Sequence, residues 1–336
     1  MGFAANYLRN LASLAVGREP MRPLFFSLYV THRCALHCSY CAEGDGRPFK
    51  QDPVDDPSLD QVKRLLRILR RSGDTLDLTG GEPMIRDDLE EILLAAKSLG
   101  FQTVLNTKAM GLDKRPEVLR LTDVMVIGVD SMQHEHLSKV MGSSIEAARA
   151  VIRGVEYAAS QRHATRTQVT LSPVVTPDNV QGAREVLHWA LDHGLSFELS
   201  PQTIGPHVHP GLRDNAGYRA LVDELIELKR SRRGVMGVPD YLKGIRGFAD
   251  YRCHPMLLPK IRPDARLYYP CLERMHADVS ILEAGSYERA LEQARALRGD
   301  LPVCRDCCHC FCHMAISLFQ RQPWRALQEG RHWKPT

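Results

Sequence analysis

Three cysteines stand close together in the segment RCALHCSYC. Three residues and then two residues separate the thiols of Cys34, Cys38 and Cys41. A structural zinc site is closed by four protein ligands, whereas three thiolates can hold three irons of a four-iron cluster and leave the fourth iron open. A zinc ion would need a fourth protein ligand, and His32 and His37 are the nearest candidates in the sequence. The spacing therefore indicates either an open iron–sulfur cluster or a zinc site completed by a neighbouring histidine.

A second motif, TGGEP at residues 79–83, follows the next apolar segment. Gly80 and Gly81 allow the backbone to approach a ligand closely, and Glu82 offers a carboxylate to an ammonium group. Taken alone, the motif could be a turn in which Pro83 occupies the first position of a helix. Next to an open iron, it suits the head group of an amino acid.

Seven further cysteines lie near the end of the chain, after a long stretch that contains none. Residues 253–271 are predicted to form a short hairpin with a cysteine near each outer end. The segment CRDCCHCFC, residues 304–312, follows a predicted helix. Four thiolates taken from these two segments could hold either a closed iron–sulfur cluster or zinc. The seven are Cys253, Cys271, Cys304, Cys307, Cys308, Cys310 and Cys312.

Alternating strands and helices between residues 24 and 231 must position these motifs. Each predicted strand is apolar and is followed by a segment with helical periodicity. Ser58 and Gln61 are predicted to form a capping box at the start of the first such segment. Such strands, joined by right-handed crossovers, predict a parallel barrel, whole or partial, with its chemistry at the carboxyl ends of the strands. The three-cysteine loop follows the first strand, at that end. The strands are predicted at residues 24–31, 74–81, 102–107, 124–130, 167–175 and 196–203.

Composition excludes several classes of protein. A net charge of +4 over 336 residues gives no concentrated basic face for nucleic acid. No apolar run approaches the roughly 20 residues that a bilayer-spanning helix needs. The first residues lack the pattern of a secretory signal, so we expect the ten cysteines to lie in a reducing cytoplasm. There, clustered cysteines favour metal or redox chemistry over disulfides.

The first residues, FAANYLRNLASLAV, are predicted to form an amphipathic helix. Phe3, Tyr7 and Leu8 belong to its apolar side, and Asn6 and Asn10 to the opposite side. We expect the apolar side to pack on the floor of the barrel. A membrane-surface helix is the alternative, although a single arginine on the polar side is little for that role.

The loop Cys-x3-Cys-x2-Cys after the first strand, together with GGEP after the second, resembles the radical S-adenosylmethionine (radical SAM) superfamily over residues 24 to about 230. The resemblance implies a partial (β/α)6 barrel of the TIM type, of class α/β. It also implies that Cys34, Cys38 and Cys41 ligate a 4Fe-4S cluster whose open iron binds S-adenosylmethionine. Reductive cleavage then gives methionine and a 5′-deoxyadenosyl radical that abstracts hydrogen from the substrate. The residues implied to bind this cofactor are Tyr40, Gly80, Gly81, Glu82, Pro83, Asn106, Asp130 and Ser172.

The later cysteines resemble the twitch or SPASM extension that holds auxiliary clusters in some radical SAM enzymes. The shorter, one-cluster form is the nearer match, and zinc stays open as the alternative. The resemblance divides the chain into an N-terminal amphipathic helix (1–22), the radical SAM barrel (23–235), an auxiliary-cluster domain (236–320) and a tail (321–336). One auxiliary 4Fe-4S cluster would be held by Cys253, Cys271, Cys304 and Cys307, with Cys310 as a substitute for Cys307.

These observations predict a cytoplasmic oxidoreductase that dehydrogenates a non-protein substrate, with the auxiliary cluster as electron acceptor and flavodoxin or ferredoxin as reductase. The precedent in the family is oxidation of a secondary alcohol in aminocyclitol biosynthesis. Crosslinking of a ribosomally made peptide is an alternative, although about twenty residues before the first strand are too few for a separate recognition domain. Lipid modification is a second alternative, favoured only by the N-terminal helix. A non-catalytic electron carrier is a third, but it would need neither an open iron nor GGEP.

Overall fold

Six parallel strands form the centre of one sheet in the computed structural model, which describes residues 2–41, 54–305 and 308–329. Each of them pairs in parallel with the next one along the chain. Side chains from four of the six, β2 to β5, line a single cavity, so the sheet curves around it as a partial barrel. The predicted fold class is therefore confirmed. The strands are β1 (Phe26–Thr31), β2 (Thr75–Gly80), β3 (Gln102–Thr107), β4 (Val124–Ile127), β5 (Gln168–Leu171) and β6 (Ser196–Phe197).

Helices follow the strands on the outer side of the sheet and close the hydrophobic core there. In α2 the predicted capping box is present: the Ser58 hydroxyl accepts from the Gln61 amide, and the Gln61 side chain accepts from the Ser58 amide. The helices are α1 (Phe3–Ala15), α2 (Leu59–Leu69), α3 (Leu89–Ser98), α4 (Pro116–Arg120), α5 (His134–Val140), α6 (Ile145–Thr165), α7 (Val180–Asp192), α8 (Pro210–Arg213), α9 (Ala216–Ser231), α10 (Pro239–Gly247), α11 (Ile281–Ala284), α12 (Tyr287–Arg298), α13 (Ile316–Arg321) and α14 (Pro323–Glu329).

The C-terminal region continues the sheet of the barrel. Strand β7 (Lys260–Ile261) pairs in parallel with β1 and forms the predicted hairpin with β8 (Arg266–Leu267). Strand β9 (Val279–Ser280) then pairs antiparallel with β8. Two short ribbons lie outside this sheet, Val174–Val175 with Ser200–Pro201 and Thr203–Ile204 with His207–Val208. The hairpin that follows Cys253 is thus attached directly to the first strand of the barrel.

Helix α1 does contact the rest of the fold through its aromatic residues. The ring of Phe3 packs edge-on against Phe25, and the ring of Tyr7 packs edge-on against Phe319 in α13. The Tyr7 hydroxyl also donates to the Phe319 carbonyl over 2.9 Å. These contacts join the two ends of the described chain.

The expected polarity of α1 holds for Phe3 and Tyr7 but is wrong for three other residues. Asn6 and Asn10, predicted to face outward, are fully buried, whereas Leu8 is 64% exposed. The Asn6 side chain donates to the carbonyls of Pro23 and Ser72 over 2.8 and 2.7 Å. Buried carbonyl groups need hydrogen-bond donors, and a side-chain amide supplies two of them. That requirement, rather than the apolar pattern, sets which side of the helix faces inward.

Within the described residues, no helix is both long and apolar enough to cross a bilayer. Helix α14 occupies the first part of the predicted tail, and its Glu329 pairs with Lys229 over 2.9 Å. Residues 330–336 lie outside the described residues, as does Cys307.

Candidate functional site at the carboxyl ends of the strands

The three-cysteine loop begins directly after β1, at the carboxyl end of the sheet. Its backbone is held by the end of α5, because the His37 amide donates to the Met141 carbonyl and the Ser39 amide to the Val140 carbonyl, over 3.0 and 2.9 Å. Cys38 is buried, whereas Cys34 and Cys41 are half-buried. The loop is therefore fixed by backbone contacts that do not involve its sulfur atoms.

The GGEP motif packs flat against the start of this loop. The Gly81 amide donates to the Thr31 carbonyl and the Glu82 amide to the Arg33 carbonyl, both over 2.9 Å. A Cβ atom on Gly81 would lie 2.1 Å from the Arg33 carbonyl oxygen, and Gly80 has a φ of +148°. Only glycine fits both conditions. The backbone of GGEP therefore packs closely against the loop that carries the three thiols. This arrangement fits a cluster that leaves one coordination position to an amino acid head group.

Glu82 is buried and fully engaged by groups of the protein. Its carboxylate accepts from the Thr107 hydroxyl over 2.5 Å, from the Lys108 amide over 2.8 Å and from the Met84 amide over 3.0 Å. Burial raises the pKa of the Glu82 carboxyl overall, although these three hydrogen-bond donors act to lower it. The carboxylate thus ties the loop after β2 to the end of β3, and its contact with an ammonium group stays a prediction. Pro83 opens the short turn that follows.

Tyr40 and Asp130 meet at the same end of the sheet, together with Lys108, which the sequence analysis did not single out. The Tyr40 hydroxyl donates to Asp130 over 2.8 Å, and the Lys108 ammonium donates to Tyr40 over 2.7 Å and to Asp130 over 2.9 Å. Burial alone would lower the pKa of Lys108, but the charges of Asp130 and Cys38 raise it overall. A cation is therefore held next to the predicted cluster loop. The position of Lys108 just after β3 was the feature of the sequence that could have identified it.

Asn106 and Ser172 lie inside the barrel and line the lumen. The Asn106 amide donates to Asp77, and the Ser172 hydroxyl donates to Glu198 over 2.9 Å. Burial raises the pKa of Glu198 to about 7. The lumen is a cavity of about 300 Å³. The polar and charged side chains on its wall include Asp77, Asn106, Gln168, Ser172, Glu198, Lys260 and Cys312.

The later cysteines separate into two groups. The Cys253 amide donates to the Cys304 carbonyl over 3.2 Å, so these two residues, far apart in the chain, are neighbours. Cys310 and Cys312 have their sulfur atoms 3.2 Å apart, and His313 joins them within 4.8 Å. Cys271 is half-buried after β8. The grouping of Cys312 with His313 was missed, although the run CFCH carried the signal.

Comparison with known proteins agrees with this architecture. Residues 28–190 match the family described as the Radical SAM superfamily. This match covers just under half of the chain, and the parallel partial barrel with its three-cysteine loop after β1 agrees with that superfamily, whose members use a 4Fe-4S cluster and S-adenosylmethionine.

Two curated relatives and two solved structures illustrate the similarity. GTP 3′,8-cyclase from Rhodococcus opacus (strain B4) is 25% identical over 195 residues, 55% of this chain and 53% of that protein. GTP 3′,8-cyclase from Mycobacterium sp. (strain KMS) is 32% identical over 181 residues, 52% of this chain and 50% of that protein. The chain thus spans about half the length of the curated relatives it matches.

The solved structures are more distant in sequence. Streptococcus suis SuiB bound to the precursor peptide SuiA has a TM-score of 0.61 and 16% identity, covering 81% of this chain and 64% of that one. Native anSMEcpe with bound AdoMet and Cp18Cys peptide has a TM-score of 0.58 and 14% identity, covering 91% of this chain and 96% of that one. At such identity the likeness concerns the fold alone.

Proposed function

We propose that this protein is a radical SAM enzyme and that it dehydrogenates a small, polar, non-protein substrate held in the lumen of the barrel. The observation that carries the proposal is the Glu198 carboxylate, which lines the lumen and accepts a hydrogen bond from Ser172. Dehydrogenation of an alcohol needs a base beside the reacting carbon, and this carboxylate is available to act as one. A reductase such as flavodoxin or ferredoxin would supply electrons, which suits a cytoplasmic enzyme.

The residues that would hold the cofactors are those that the motifs of the sequence imply. Cys34, Cys38 and Cys41 would ligate the catalytic cluster on their anchored loop. Once bound, the cluster and S-adenosylmethionine would supply a 5′-deoxyadenosyl radical that abstracts hydrogen, and an auxiliary 4Fe-4S cluster would supply an electron acceptor. The auxiliary ligands would be Cys253, Cys271, Cys304 and Cys307, supported by the backbone contact between Cys253 and Cys304. The S-adenosylmethionine contacts would come from Tyr40, Gly80, Gly81, Glu82, Pro83, Asn106, Asp130 and Ser172.

The size of the lumen and the charged groups on part of its largely apolar wall favour a small substrate. A cavity of about 300 Å³ is at the low end for small-molecule sites. Its wall carries carboxylates at Asp77 and Glu198 and an ammonium at Lys260, which would leave hydroxyl or amino groups of a substrate well paired. GTP, which the names of the curated relatives mention, is likewise not a protein. These features favour a polyol or amino sugar over a peptide or a lipid tail.

Glu198 would act at the second half of the reaction. Oxidation of a secondary alcohol removes a hydrogen atom from carbon, a proton from oxygen and one electron. Glu198 would take the hydroxyl proton, so that the carbon–oxygen double bond forms as the electron passes to the auxiliary cluster. The Ser172 hydroxyl would keep the carboxylate aimed into the lumen. The balance would need one S-adenosylmethionine, one electron from the reduced catalytic cluster and one oxidised auxiliary cluster for each turnover.

The test uses the full chain, reconstituted anaerobically and given dithionite, S-adenosylmethionine and a panel of polyols and aminocyclitols. We expect one member of the panel to stimulate 5′-deoxyadenosine formation and to yield a product lighter by two hydrogens. The variant E198Q should still form 5′-deoxyadenosine but lose product formation by about 10²–10⁴-fold, the usual contribution of a general base. The variant C38S should form no 5′-deoxyadenosine, which separates loss of the radical from loss of the base.

Two outcomes would overturn the proposal. Stimulation by a peptide, with a crosslinked product and no member of the panel active, would favour peptide modification. Absence of 5′-deoxyadenosine from a protein with its full iron content would leave the electron-carrier alternative.

A further inference from the structure

We propose that Cys310, Cys312 and His313 form a mononuclear zinc site at the wall of the lumen, separate from both iron–sulfur clusters. The two sulfur atoms are 3.2 Å apart, and a nitrogen of His313 lies within 4.8 Å of both. Two thiolates and one imidazole are a recognised ligand set for zinc with one position left open. This site accounts for two of the three crowded cysteines that the auxiliary cluster does not use.

The distance between the sulfurs decides between one metal and a cluster. Two thiolates on one tetrahedral zinc, with bonds of about 2.3 Å, lie about 3.8 Å apart. Cys310 and Cys312 need only a small outward movement to reach that separation. In a four-iron cluster each thiolate binds its own iron, so that two of them are spread much further apart. The geometry therefore suits a single metal.

The local backbone presents the ligands together. Cys310 immediately precedes a π-helical turn, Phe311–Ala315, which carries both Cys312 and His313. Turns of this kind are rare and occur frequently at functional sites. The turn is fixed independently of any metal, since the Phe311 amide donates to the Ser200 hydroxyl over 2.9 Å. The three ligand atoms are thus gathered before a metal arrives.

The charges around the site also suit zinc. Two thiolates neutralise one Zn²⁺, and zinc binds cysteine in the thiolate form. The Lys260 ammonium interacts electrostatically with both sulfur atoms, and Asp77 also faces Lys260. Neutral imidazole completes the set, and His313 is buried. A neutral zinc–dithiolate unit would not add net charge to the lumen.

The open fourth coordination position of the zinc would determine what the site does. Cys312 lines the lumen cavity, so a metal on its sulfur atom borders the space that would hold the substrate. An open position on zinc binds a hydroxyl or thiol and lowers the pKa of that group. The substrate would therefore be one that presents such a donor atom, a statement that rests on the proposed function. Zinc binding itself does not depend on it.

The test measures metal content and coordination in the full chain after anaerobic reconstitution of the clusters, addition of one equivalent of Zn²⁺ and desalting. We expect one zinc per chain, with two sulfur neighbours at about 2.3 Å and nitrogen or oxygen neighbours at about 2.0 Å by zinc X-ray absorption. Addition of 2-mercaptoethanol as a probe should raise the sulfur count to three. A zinc shell of four sulfurs, or one unchanged by the thiol, contradicts the open Cys2His site.

Variants locate the site. C312S and H313Q should weaken zinc binding by more than about 100-fold in competition with a chelator, since loss of even an outer partner costs 10–100-fold. Their iron content should equal that of the wild type, which also shows that they fold. C308S, in the same run but outside the group, should keep both metals. Loss of iron rather than zinc from C312S would assign this cysteine to the auxiliary cluster and overturn the proposal, whatever the result for S-adenosylmethionine cleavage.

Discussion

The ammonium of Lys108 lies 2.9 Å from the carboxylate of Asp130, and both side chains are buried beside the three-cysteine loop. Tyr40 of that loop completes a triangle, because its hydroxyl contacts both charged groups. The three residues come from the cysteine loop, the end of β3 and the end of β4. One buried ion pair therefore connects three neighbouring segments at the carboxyl edge of the sheet.

Removal of the cation should strongly destabilise the protein. The variant K108M leaves Asp130 as a buried charge without its partner, which typically costs about 3–5 kcal/mol in the free energy of unfolding. Denaturant unfolding followed by circular dichroism measures this cost. The matched control is K97M, which breaks the half-exposed pair of Lys97 with Asp123 and should cost about 0–1 kcal/mol. Equal costs for the two variants would show that the buried pair has no special role in stability.

Gly81 should be indispensable for loading the catalytic cluster. In G81A the new Cβ meets the Arg33 carbonyl oxygen at 2.1 Å, so the GGEP motif and the cysteine loop must separate. We expect the iron content after anaerobic reconstitution to fall by about four atoms per chain, as one four-iron cluster is lost. The control is G247A at the end of α10, where a Cβ meets nothing within 4 Å. Full iron content in G81A would contradict the close packing described for the motif.

The sequence predicted the strands of the barrel because their apolar periodicity is local. The last two predicted strands, 167–175 and 196–203, were too long. Each range contains a short strand of the main sheet and a separate short pairing outside it. Pro173 explains the first break, since proline has no amide hydrogen for the ladder between Leu171 and Val174. The capping box before α2 was predicted correctly because all its atoms lie within four residues.

The same distinction between local and long-range information applies to the residues of the candidate site. The cysteine loop and GGEP were found because each is a dense local motif. Lys108, Glu198 and Lys260 stand alone in the sequence. Only the order of strands in the sheet brings Lys108 to the cysteine loop and the other two to the lumen. No local pattern marks such residues. The inward side of α1 was mispredicted for a related reason, because the carbonyls that bind Asn6 belong to distant segments.

The buried asparagines of α1 should matter more than its leucines. In N6L the carbonyls of Pro23 and Ser72 lose their donor, and a buried group left without its hydrogen bond costs about 1–3 kcal/mol. L8A on the same helix removes an exposed side chain and should change stability by no more than about 0.5 kcal/mol. Denaturant unfolding compares the two. A larger loss in L8A than in N6L would restore the opposite orientation of the helix, or place Leu8 in a contact with a partner.

Glu198 should make stability depend on pH in a defined direction. Burial raises the pKa of its carboxyl from an ordinary value of 4.5 to about 7, so between these values the folded protein holds a proton that the unfolded chain has lost. The contribution of Glu198 to the free energy of unfolding is therefore fully present below pH 4.5 and is lost as the pH rises to about 7. In E198Q this decline should disappear, as measured by anaerobic urea unfolding across that range. Infrared spectra of the wild type should show the matching loss of a protonated carboxyl band near pH 7, absent from E198Q. A carboxylate already ionised at pH 5 would contradict both results and remove the support for Glu198 as the base.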